Sequence, residues 1–316
     1  MYRGNKVALV IPAHNEEKLL PPTLETVPEL IDQVFVIDDC STDGTAEIVR
    51  TRSATDPRVI LIQNEQKMGP GSGIITGYIA AREGDFDLVV VVGGDNQMPL
   101  DEVERFLDPI LDDGIDYTKG NRFIQGGNAF EDMPAVRLFG NSLISFMTKI
   151  ASGYYKCWDV VDGYTAISKR ALHLVPWEKA WKRYGYPMDF LIRLNTYGCR
   201  VRDIPRTAIY LPGERQSQIK GVRYALSVSP MIMRGFFRRL FVKYFLRDFH
   251  PVIFFYLLGL ILIPLGVWLG IKIIAIKLLV EGGGVTALTG ILCALVLILG
   301  VQALLFAMFF DMQESQ

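Results

Sequence analysis

The chain has 316 residues and a formal net charge of −1 at pH 7. A near-neutral chain has no general electrostatic attraction for nucleic acid, so this class of partner is excluded. The four cysteines are scattered without the paired spacing of a zinc site, and we expect them to be reduced and structural. No secretory signal is expected, because the first apolar stretch is short and soon followed by charged residues.

The first 120 residues predict alternating strands and helices. Four short runs rich in Val, Ile and Leu are typical of strands buried on both faces of a parallel sheet. They are Val7 to Ile11, Val34 to Ile37, Val59 to Ile62 and Leu88 to Val92. Helices are predicted at Glu16 to Leu30, Gly44 to Ser53 and Gly73 to Arg82. This order predicts an α/β fold with a doubly wound, mostly parallel sheet, which residues 117–209 complete.

Polar or glycine-rich residues follow each of these four strands. The segments are Pro12 to Glu16, Asp38 with Asp39, Lys67 to Gly71, and Gly93 to Asp95. Ligands of open α/β sheets bind beyond the carboxyl ends of the strands, so we expect these loops to enclose one crevice. The plainer alternative is helix capping, in which Asn15 and Glu16 begin one helix and Asp38, Ser41 and Asp43 cap the next.

Two long apolar runs lie near the end of the sequence. Val252 to Gly270 and Val285 to Phe310 contain no charged side chain. Since roughly twenty apolar residues let a helix cross a bilayer, two membrane spans are predicted. The alternative is a pair of buried helices in a soluble core. A short turn is expected between the spans, with the residues Lys272, Lys277, Glu281 and Gly282 to Gly284.

The segment 221–250 combines cations with aromatic residues. Arg239, Lys243 and Arg247 recur every fourth residue among several Phe and Tyr residues, which predicts a helix at the lipid headgroup level. A solvated cationic helix face is the alternative. The cations ahead of the first span are Arg223, Arg234, Arg238, Arg239, Lys243 and Arg247. By the positive-inside rule they place both termini and residues 1–220 in the cytoplasm, ahead of a membrane region at 251–316.

Five phrases, each after a predicted strand, resemble glycosyltransferase family 2 with its GT-A fold. They are IPAHNEE, VIDDCSTDGTAE, KMGPGSGIITGY, GGDNQMP and KGNRF. The two spans and the phrases around Arg122 and Arg215 are most similar to the polyprenyl-phosphate glycosyltransferases, the dolichol-phosphate-mannose-synthase-like group. The resemblance implies an inverting transfer of a hexose from a nucleoside-diphosphate sugar, of the GDP-mannose or UDP-glucose type, to dolichyl or undecaprenyl phosphate.

The same resemblance assigns the donor site. Glu16 and Asp39 suit the base and ribose, because carboxylates accept hydrogen bonds from N–H and O–H groups. Lys67 is a candidate for the diphosphate, with an exposed loop lysine as the plain alternative. The full set of expected donor contacts is Pro12, His14, Asn15, Glu16, Asp39, Lys67, Gly94 and Asp95.

A divalent cation is expected to neutralise the departing diphosphate. Asp95 and Gln97 match the second carboxylate and the amide of the family phrase Asp-x-Asp-x-Gln, and Mg²⁺ or Mn²⁺ prefers such ligands. Gly93 stands where the family has its first carboxylate. Metal dependence is therefore left open, with Lys67 and Arg122 as cations that share the neutralisation.

On the acceptor side, Arg122 is expected to contact phosphate, because its planar guanidinium suits two parallel hydrogen bonds. The family phrase Ser-Gly-Phe-Arg-Ala is replaced by residues 162–166, in which Thr165 stands at the arginine. Arg215 and Lys220 are the expected substitutes for the lipid phosphate, with solvated loop cations as the alternative. Asp189 is assigned to positioning the sugar or acceptor, with general base as a second role and helix N-cap as the plain alternative.

Two other functions stay open. Transfer to a sugar hydroxyl of a polysaccharide or glycolipid would make Asp189 an essential base. A non-catalytic subunit that binds nucleotide sugar is the second, prompted by Gly93. The expected partners are a nucleoside-diphosphate sugar, a polyprenyl phosphate and a membrane, and self-association into a homo-oligomer is left open.

Overall fold

The computed structural model describes residues 1–123, 135–207, 221–279 and 284–314. In these ranges seven strands form one sheet, ordered β3-β2-β1-β4-β6-β5-β7. The strands are β1 (Val7–Ala13), β2 (Gln33–Asp38), β3 (Val59–Gln63), β4 (Leu88–Val91), β5 (Tyr117–Asn121), β6 (Thr165–Ser168) and β7 (Val201–Pro205).

The α-helices in the same ranges are α1 (Leu20–Glu25), α2 (Thr45–Thr55), α3 (Pro70–Glu83), α4 (Val103–Asp112), α5 (Ala135–Ser152), α6 (Lys169–Leu174), α7 (Tyr186–Thr196), α8 (Gly221–Phe241), α9 (Val252–Leu279) and α10 (Ala287–Gln313). A π-helical turn, Val242–Arg247, follows α8. The chain divides into two compact units, Met1–Phe236 and Phe237–Gln316.

Strand direction decides which residues reach the functional end of the sheet. β1 runs parallel to β2 and β4, β2 to β3, and β5 to β7, whereas β6 runs antiparallel to β4 and β5. The carboxyl ends of six strands therefore lie at one edge, which we call the loop edge. The residues that precede β6 reach the same edge because β6 is reversed. The predicted doubly wound, mostly parallel sheet is confirmed.

The apolar runs form the core of the first unit. Leu9 and Ile11 of β1 are fully buried, as their position in a strand covered on both faces requires. Helix α3 packs directly on this strand, since a Cβ atom at Gly77 would lie 2.2 Å from a methyl carbon of Val10. Only glycine allows this close approach, which holds the start of α3 beside the loop edge.

The helix predicted from Glu16 to Leu30 is wrong in its extent. The structure has turns over residues 17–19 and a helix, α1, of six residues only. Pro21 and Pro22 lie in its first turn, where a missing N–H costs nothing. A helix begun at Glu16 would place both proline rings against carbonyl groups of the preceding turn. The prolines thus leave Asn15 and Glu16 in the loop.

The sequence predicts a separate interfacial segment from residue 221, and this boundary stays a prediction. The part of helix α8 up to Phe236 belongs to the first unit. Its buried face contacts α7. A Cβ atom at Gly185 would lie 2.8 Å from Val228, and one at Gly235 would lie 3.0 Å from Ile192. These contacts anchor the first turns of α8 on the same helix that carries Asp189.

In the second unit, α9 and α10 are long and apolar enough to cross a membrane. Their most apolar windows are only 28% and 22% buried, whereas buried core helices would be mostly covered. Small residues let the two helices approach closely, as at Gly259, where a Cβ atom would lie 3.1 Å from the carbonyl oxygen of Gly300. Helix α9 continues to Leu279, so Lys272 and Lys277 are helical and the predicted turn around them is wrong.

Arg239 departs from the predicted headgroup contact. Its guanidinium is fully buried and donates two hydrogen bonds of 2.7 Å to the two carboxylate oxygens of Asp311 in α10. The hydroxyl groups of Tyr244 and Tyr256 also donate to Asp311. A buried carboxylate requires a counter-charge and several donors, which explains why this arginine turns inward.

Candidate active site

The loops after β1 and β2 are tied together by side chains of the first predicted motif. The backbone N–H of Asn15 donates to Ser41 Oγ (2.9 Å), and the N–H of Thr42 donates to Asn15 Oδ1 (2.8 Å). The N–H of Glu16 donates to Thr45 Oγ1 at 2.9 Å. Asn15 and Cys40 both have left-handed backbone angles, with φ of 57° and 61°. These loops have fixed conformations and do not merely begin helices.

Asp39 organises the loop after β3. Its buried carboxylate accepts hydrogen bonds from the N–H groups of Met68 (2.9 Å) and Gly69 (2.8 Å) and from the amide of Asn64 (3.0 Å). Burial alone would raise the pKa of Asp39, but these three donors lower it below its ordinary value. A carboxylate has about four acceptor positions, so one remains for an N–H or O–H group of a ligand.

His14 and Lys67 meet across two loops. His14 Nδ1 lies 2.9 Å from the carbonyl oxygen of Asp39, and Lys67 Nζ lies 2.6 Å from His14 Nε2. Pro12 packs beside Gly73 in α3, where a Cβ atom would lie 3.0 Å from the proline ring. The structure therefore brings together the residues predicted from the first three motifs, including the cation of the third.

The loop after β4 lies against the loop after β1. A Cβ atom at Gly94 would be 3.5 Å from Ala13. Asn96 has a left-handed backbone (φ 54°), and the N–H of Gln97 donates to Asp95 Oδ1 at 3.3 Å. Burial raises the pKa of the Asp95 carboxyl group. A Cβ atom at Gly93 would lie 2.9 Å from Asp95 Oδ1. Because Gly93 has no side chain, the Asp95 side chain can occupy this space.

The protein can give a divalent cation only part of its ligands. Among the described residues there is no group of three or more His, Cys, Asp and Glu side chains suited to a metal. Asp95 and Gln97 offer a carboxylate and an amide oxygen two residues apart, which fits Mg²⁺ or Mn²⁺ if phosphate and water supply the other ligands. The donor set thus fits a cation held largely by the substrate.

Arg122 lies at the loop edge in contact with two aspartates. Its Nε and Nη2 donate to Asp159 at 2.7 and 3.1 Å, and Nε is also 3.2 Å from Asp162 Oδ2. Burial would raise the pKa of Asp159, but the arginine lowers it, so this carboxyl stays ionised. The predicted phosphate cation is thereby held in place by carboxylates that precede β6.

Further charged residues of this network were not predicted. The Arg206 side chain pairs with Asp162, and its Nη1 donates to the carbonyl oxygen of Gln97 at 3.2 Å. Lys119 of β5 is buried 3.5 Å from Asp203. One feature of the sequence could have predicted this network: Asp162 stands where the family has a serine. An aspartate next to a buried strand requires a cationic partner.

Asp189 was assigned to the acceptor, and the structure shows its carboxylate in other contacts. It is buried in the first turn of α7, where Oδ2 accepts hydrogen bonds from Arg193 Nε (2.5 Å) and from the N–H of Trp181 (2.9 Å). The N-cap of this helix is Gly185, so the capping alternative is wrong. Asp189 holds the segment that packs on the start of α3, where the N–H of Ser72 donates to the carbonyl oxygen of Lys182.

Two predicted acceptor residues, Arg215 and Lys220, lie outside the described residues.

The four cysteines are described and none is in a disulfide. Cys40 is exposed beside the loop edge, whereas Cys157, Cys199 and Cys293 are buried.

A doubly wound sheet whose loop edge carries an Asp-x-Gln segment, a buried aspartate and an arginine held by carboxylates is typical of a GT-A glycosyltransferase. The sequence profile described as Glycosyl transferase family 2 matches residues 8–175. The chain belongs to this family and is a glycosyltransferase.

Known proteins agree with this assignment. The chain is 30% identical over 217 residues to the UDP-N-acetylglucosamine--dolichyl-phosphate N-acetylglucosaminyltransferase of Methanococcus voltae, covering 65% of this chain and 86% of the relative. It is 30% identical to the undecaprenyl-phosphate mannosyltransferase of Micrococcus luteus, covering 65% and 84%. Glucosyl-3-phosphoglycerate synthase from Mycobacterium tuberculosis, crystallised with Mn²⁺ and UDP, shares the fold, with a TM-score of 0.52, 20% identity and coverage of 75% and 80%.

Proposed function

We propose that this glycosyltransferase moves one hexose from a nucleoside-diphosphate sugar to a polyprenyl phosphate, with inversion, at the cytoplasmic face of a membrane. The proposal rests on one observation. The Asp39 carboxylate, the Asp95–Gln97 segment and Arg122 lie at one edge of the sheet, in a chain with two long apolar helices. The two relatives are named as transferases to lipid phosphates, which supports this acceptor.

On the donor side, Asp39 and Glu16 are placed to receive the base and ribose, with Pro12 and His14 as the adjoining wall. Asp39 would accept a further hydrogen bond from an N–H or O–H group of the nucleotide. Lys67 supplies positive charge beside His14, where it would attract the diphosphate. A sugar of the GDP-mannose or UDP-glucose type fits these contacts.

At the leaving group, Asp95 and Gln97 would hold Mg²⁺ or Mn²⁺ together with phosphate oxygens and water. When bound, such a cation supplies Lewis-acid stabilisation of the negative charge that develops on the diphosphate. Arg122, held by Asp159, adds a fixed cation for a phosphate group. The cation acts where charge appears as the sugar departs, and Arg122 acts on the acceptor phosphate.

The acceptor needs no strong base in this reaction. The second pKa of a phosphate monoester is near ~6, so its oxygen is already ionised at pH 7 and can attack the anomeric carbon opposite the leaving diphosphate. This agrees with Asp189, whose carboxylate is buried in contacts with Arg193 and Trp181. A sugar-hydroxyl acceptor would require a base that Asp189, so placed, does not offer.

The direct test is transfer itself. Purified full-length protein is incubated with radiolabelled GDP-mannose, UDP-glucose or UDP-N-acetylglucosamine and with polyprenyl phosphate, with Mg²⁺, with Mn²⁺ or with EDTA. We expect label in the organic phase with one donor and strong dependence on the cation. Label that enters only water-soluble or polysaccharide products would favour the hydroxyl acceptor, and donor binding without any transfer would favour a non-catalytic subunit.

We also propose that both termini and the first unit are cytoplasmic, and that the π-helical turn after α8 lies at the headgroup level. Phe241, Phe245 and Phe249 are exposed there. The ring of Phe241 stacks on that of Phe245 with centroids 5.3 Å apart, and the ring of Phe249 lies 6.4 Å from that of Phe245 at an angle of 57°. Rings of this kind favour the lipid interface. Cys40, which is exposed, should react with an impermeant maleimide in inverted membrane vesicles and not in intact cells; the opposite labelling pattern would reverse the orientation.

A homo-oligomer stays a prediction with one supporting feature. Gln302 of α10 is exposed on a candidate span, and no described residue hydrogen-bonds its side-chain amide. Polar side chains in membrane helices often pair across helices, which favours a second copy as partner. Single-molecule photobleaching in liposomes should show fewer multimers for Gln302→Leu than for wild type, with Leu299→Ala as the control.

A further inference from the structure

Asp162 joins the two halves of the proposed site. Its side chain is completely buried, and Oδ2 accepts from Arg206 Nε at 2.8 Å while lying 3.2 Å from Arg122 Nε. The other oxygen, Oδ1, accepts the N–H of Tyr164 at 2.9 Å. One carboxylate therefore fixes two arginines that directly follow different strands, β5 and β7.

Arg206 extends this contact to the loop after β4. Its Nη1 donates to the carbonyl oxygen of Gln97 at 3.2 Å and to that of Thr207 at 3.1 Å, and its side chain is only 4% exposed. The guanidinium thus reaches from Asp162 to the backbone of the segment that carries Asp95 and Gln97. Since all these groups are buried or half-buried, solvent screens the contact little.

The neighbouring glycine is shaped for this pair. A Cβ atom at Gly120 would lie 2.6 Å from Asp162 Oδ1 and 2.9 Å from Arg206 Cδ. Its backbone φ is not left-handed, so conformational freedom is not the reason for glycine here. Glycine is needed at position 120 because a larger residue would collide with the ion pair. The pair thus packs against the KGNRF phrase, although Asp162 and Arg206 lie about 40 and 85 positions later in the sequence.

The sequence also departs from the family phrase at this place. Asp162 stands at the family serine, and Thr165 stands at the family arginine. A buried arginine, Arg206, directly follows β7. It supplies the cation that pairs with Asp162.

We infer that Asp162 and Arg206 are positioning residues, which hold the Asp95–Gln97 segment and the Arg122 guanidinium in one fixed arrangement. The inference rests on the proposed function for its chemical meaning. Arg206 acts on the cation-binding side through Gln97, and Asp162 acts on both sides because it also contacts Arg122. Removal of either residue should loosen the loop without removing any group that touches substrate.

The first experiment needs no substrate. Hydrogen–deuterium exchange of the segment 93–99 is compared in full-length wild type, Asp162→Asn, Arg206→Gln and the double variant. Asp116→Asn is the matched control, because Asp116 is equally buried and ion-paired but lies at the opposite edge, just before β5. We expect exchange in this segment to accelerate on the order of tenfold in the first two variants and to stay unchanged in the control. The double variant should exchange no faster than either single variant.

The second experiment separates the two roles. Electron paramagnetic resonance measures Mn²⁺ affinity in the presence of UDP or GDP, and lipid kinetics give KM for polyprenyl phosphate. Asp162→Asn should weaken Mn²⁺ binding and raise the lipid KM, whereas Arg206→Gln should change Mn²⁺ binding alone. Arg206→Lys should restore part of the affinity, because it keeps the charge but not the double contact.

The outcomes are distinct. Unchanged exchange of the segment 93–99 in both variants, or equal acceleration in Asp116→Asn, overturns the positioning pair whatever the substrate proves to be. Accelerated exchange with no transfer to polyprenyl phosphate by the wild type supports the pair and refutes the proposed acceptor.

Discussion

The two halves of the loop edge are built by different means. The half proposed to bind the nucleotide, which we call the nucleotide side, follows β1, β2 and β3; there Asp39 and Asn15 are held by backbone N–H groups and neutral side chains. The half proposed to bind the acceptor, which we call the acceptor side, lies next to β5, β6 and β7; there Arg122, Asp162 and Arg206 are held by buried ion pairs. Local hydrogen bonds shape a binding pocket, whereas buried charges of both signs hold cations at set positions.

This difference predicts different consequences of mutation. Loss of a donor-side contact leaves a few N–H groups without an acceptor, which costs moderate stability. Loss of one partner of a buried ion pair leaves an uncompensated charge, which is more costly. The loop with Asp95 lies between the halves and is contacted from both, by Ala13 and by Arg206.

The largest effect is expected for Asp95→Asn. This substitution keeps the size of the side chain but removes the charge that attracts the cation. We expect kcat for sugar transfer to fall on the order of 100-fold or more, because a cation at the leaving group contributes several kcal/mol. Radiolabel transfer to lipid under saturating donor measures the change.

Asp101→Asn is the matched control for that experiment. Asp101 is an exposed aspartate six residues further along the chain, in the turn Leu100–Glu102. It should keep transfer within about twofold, as expected for a surface substitution. Equal losses in the two variants would mean that the overall negative charge of this region matters for transfer, and that Asp95 does not act as a ligand of the cation.

The next effect is on the nucleotide side, at Asp39→Ala. Removal of this carboxylate leaves the N–H groups of Met68 and Gly69 without their acceptor, which should cost about 1–3 kcal/mol of unfolding free energy. The donor KM should rise as well, because the third loop loses its anchor. Glu65→Gln, in the same loop but exposed, should change neither quantity.

The contribution of Asp39 also depends on pH with a definite sign. Its pKa is lowered by folding, so its stabilising effect is complete above the ordinary aspartate range and is lost as pH falls through the lowered value. The stability difference between wild type and Asp39→Ala should therefore shrink in acid. A difference that grows on acidification would contradict the role of the ionised carboxylate.

Cation binding should also weaken in acid, but at a higher pH than the Asp39 effect, because the pKa of Asp95 is raised and that of Asp39 is lowered. Burial raises the pKa of Asp95, so protons compete with the cation at higher pH than for an ordinary aspartate. Mn²⁺ affinity should be constant above this raised pKa and fall by up to about tenfold per pH unit below it. In Asp95→Asn this part of the dependence should vanish, leaving only the titration of the nucleotide itself, which is measured without protein.

The two halves also differ in how far the sequence predicts them. The four strands and the polar loops after them follow from continuous apolar runs, and each motif proved to lie at the loop edge. The predicted burial on both faces is confirmed for β1, β2 and β4 but is wrong for β3, which is an edge strand with Ile60 exposed. The failures have physical causes. The pair Pro21-Pro22 prevents α1 from beginning at Glu16. The reversed direction of β6, which no periodicity indicates, brings Asp159 and Asp162 to the edge.

The ion pairs of the acceptor side could not be predicted from spacing. Arg206 meets a carboxylate 44 positions earlier, and Asn121 donates to Asp203, 82 positions later. Such contacts depend on the order of strands in the sheet, in which β5 lies between β6 and β7. The same reasoning applies to Arg239, whose partner Asp311 follows the last apolar run by one residue.

The smallest effect on catalysis is expected at Asp189→Asn, although this residue is deeply buried. Loss of the ion pair with Arg193 should lower the melting temperature, but kcat per folded molecule should stay within a few-fold, because a phosphate acceptor is already ionised at neutral pH. A hydroxyl acceptor would instead lose about 10²- to 10⁴-fold, the usual contribution of a general base. Transfer is therefore measured well below the melting temperature and normalised to folded protein by near-ultraviolet circular dichroism. A loss of that size would mean that Asp189 is the general base for a hydroxyl and not only a structural contact of α7. The acceptor would then be a sugar hydroxyl and not a lipid phosphate.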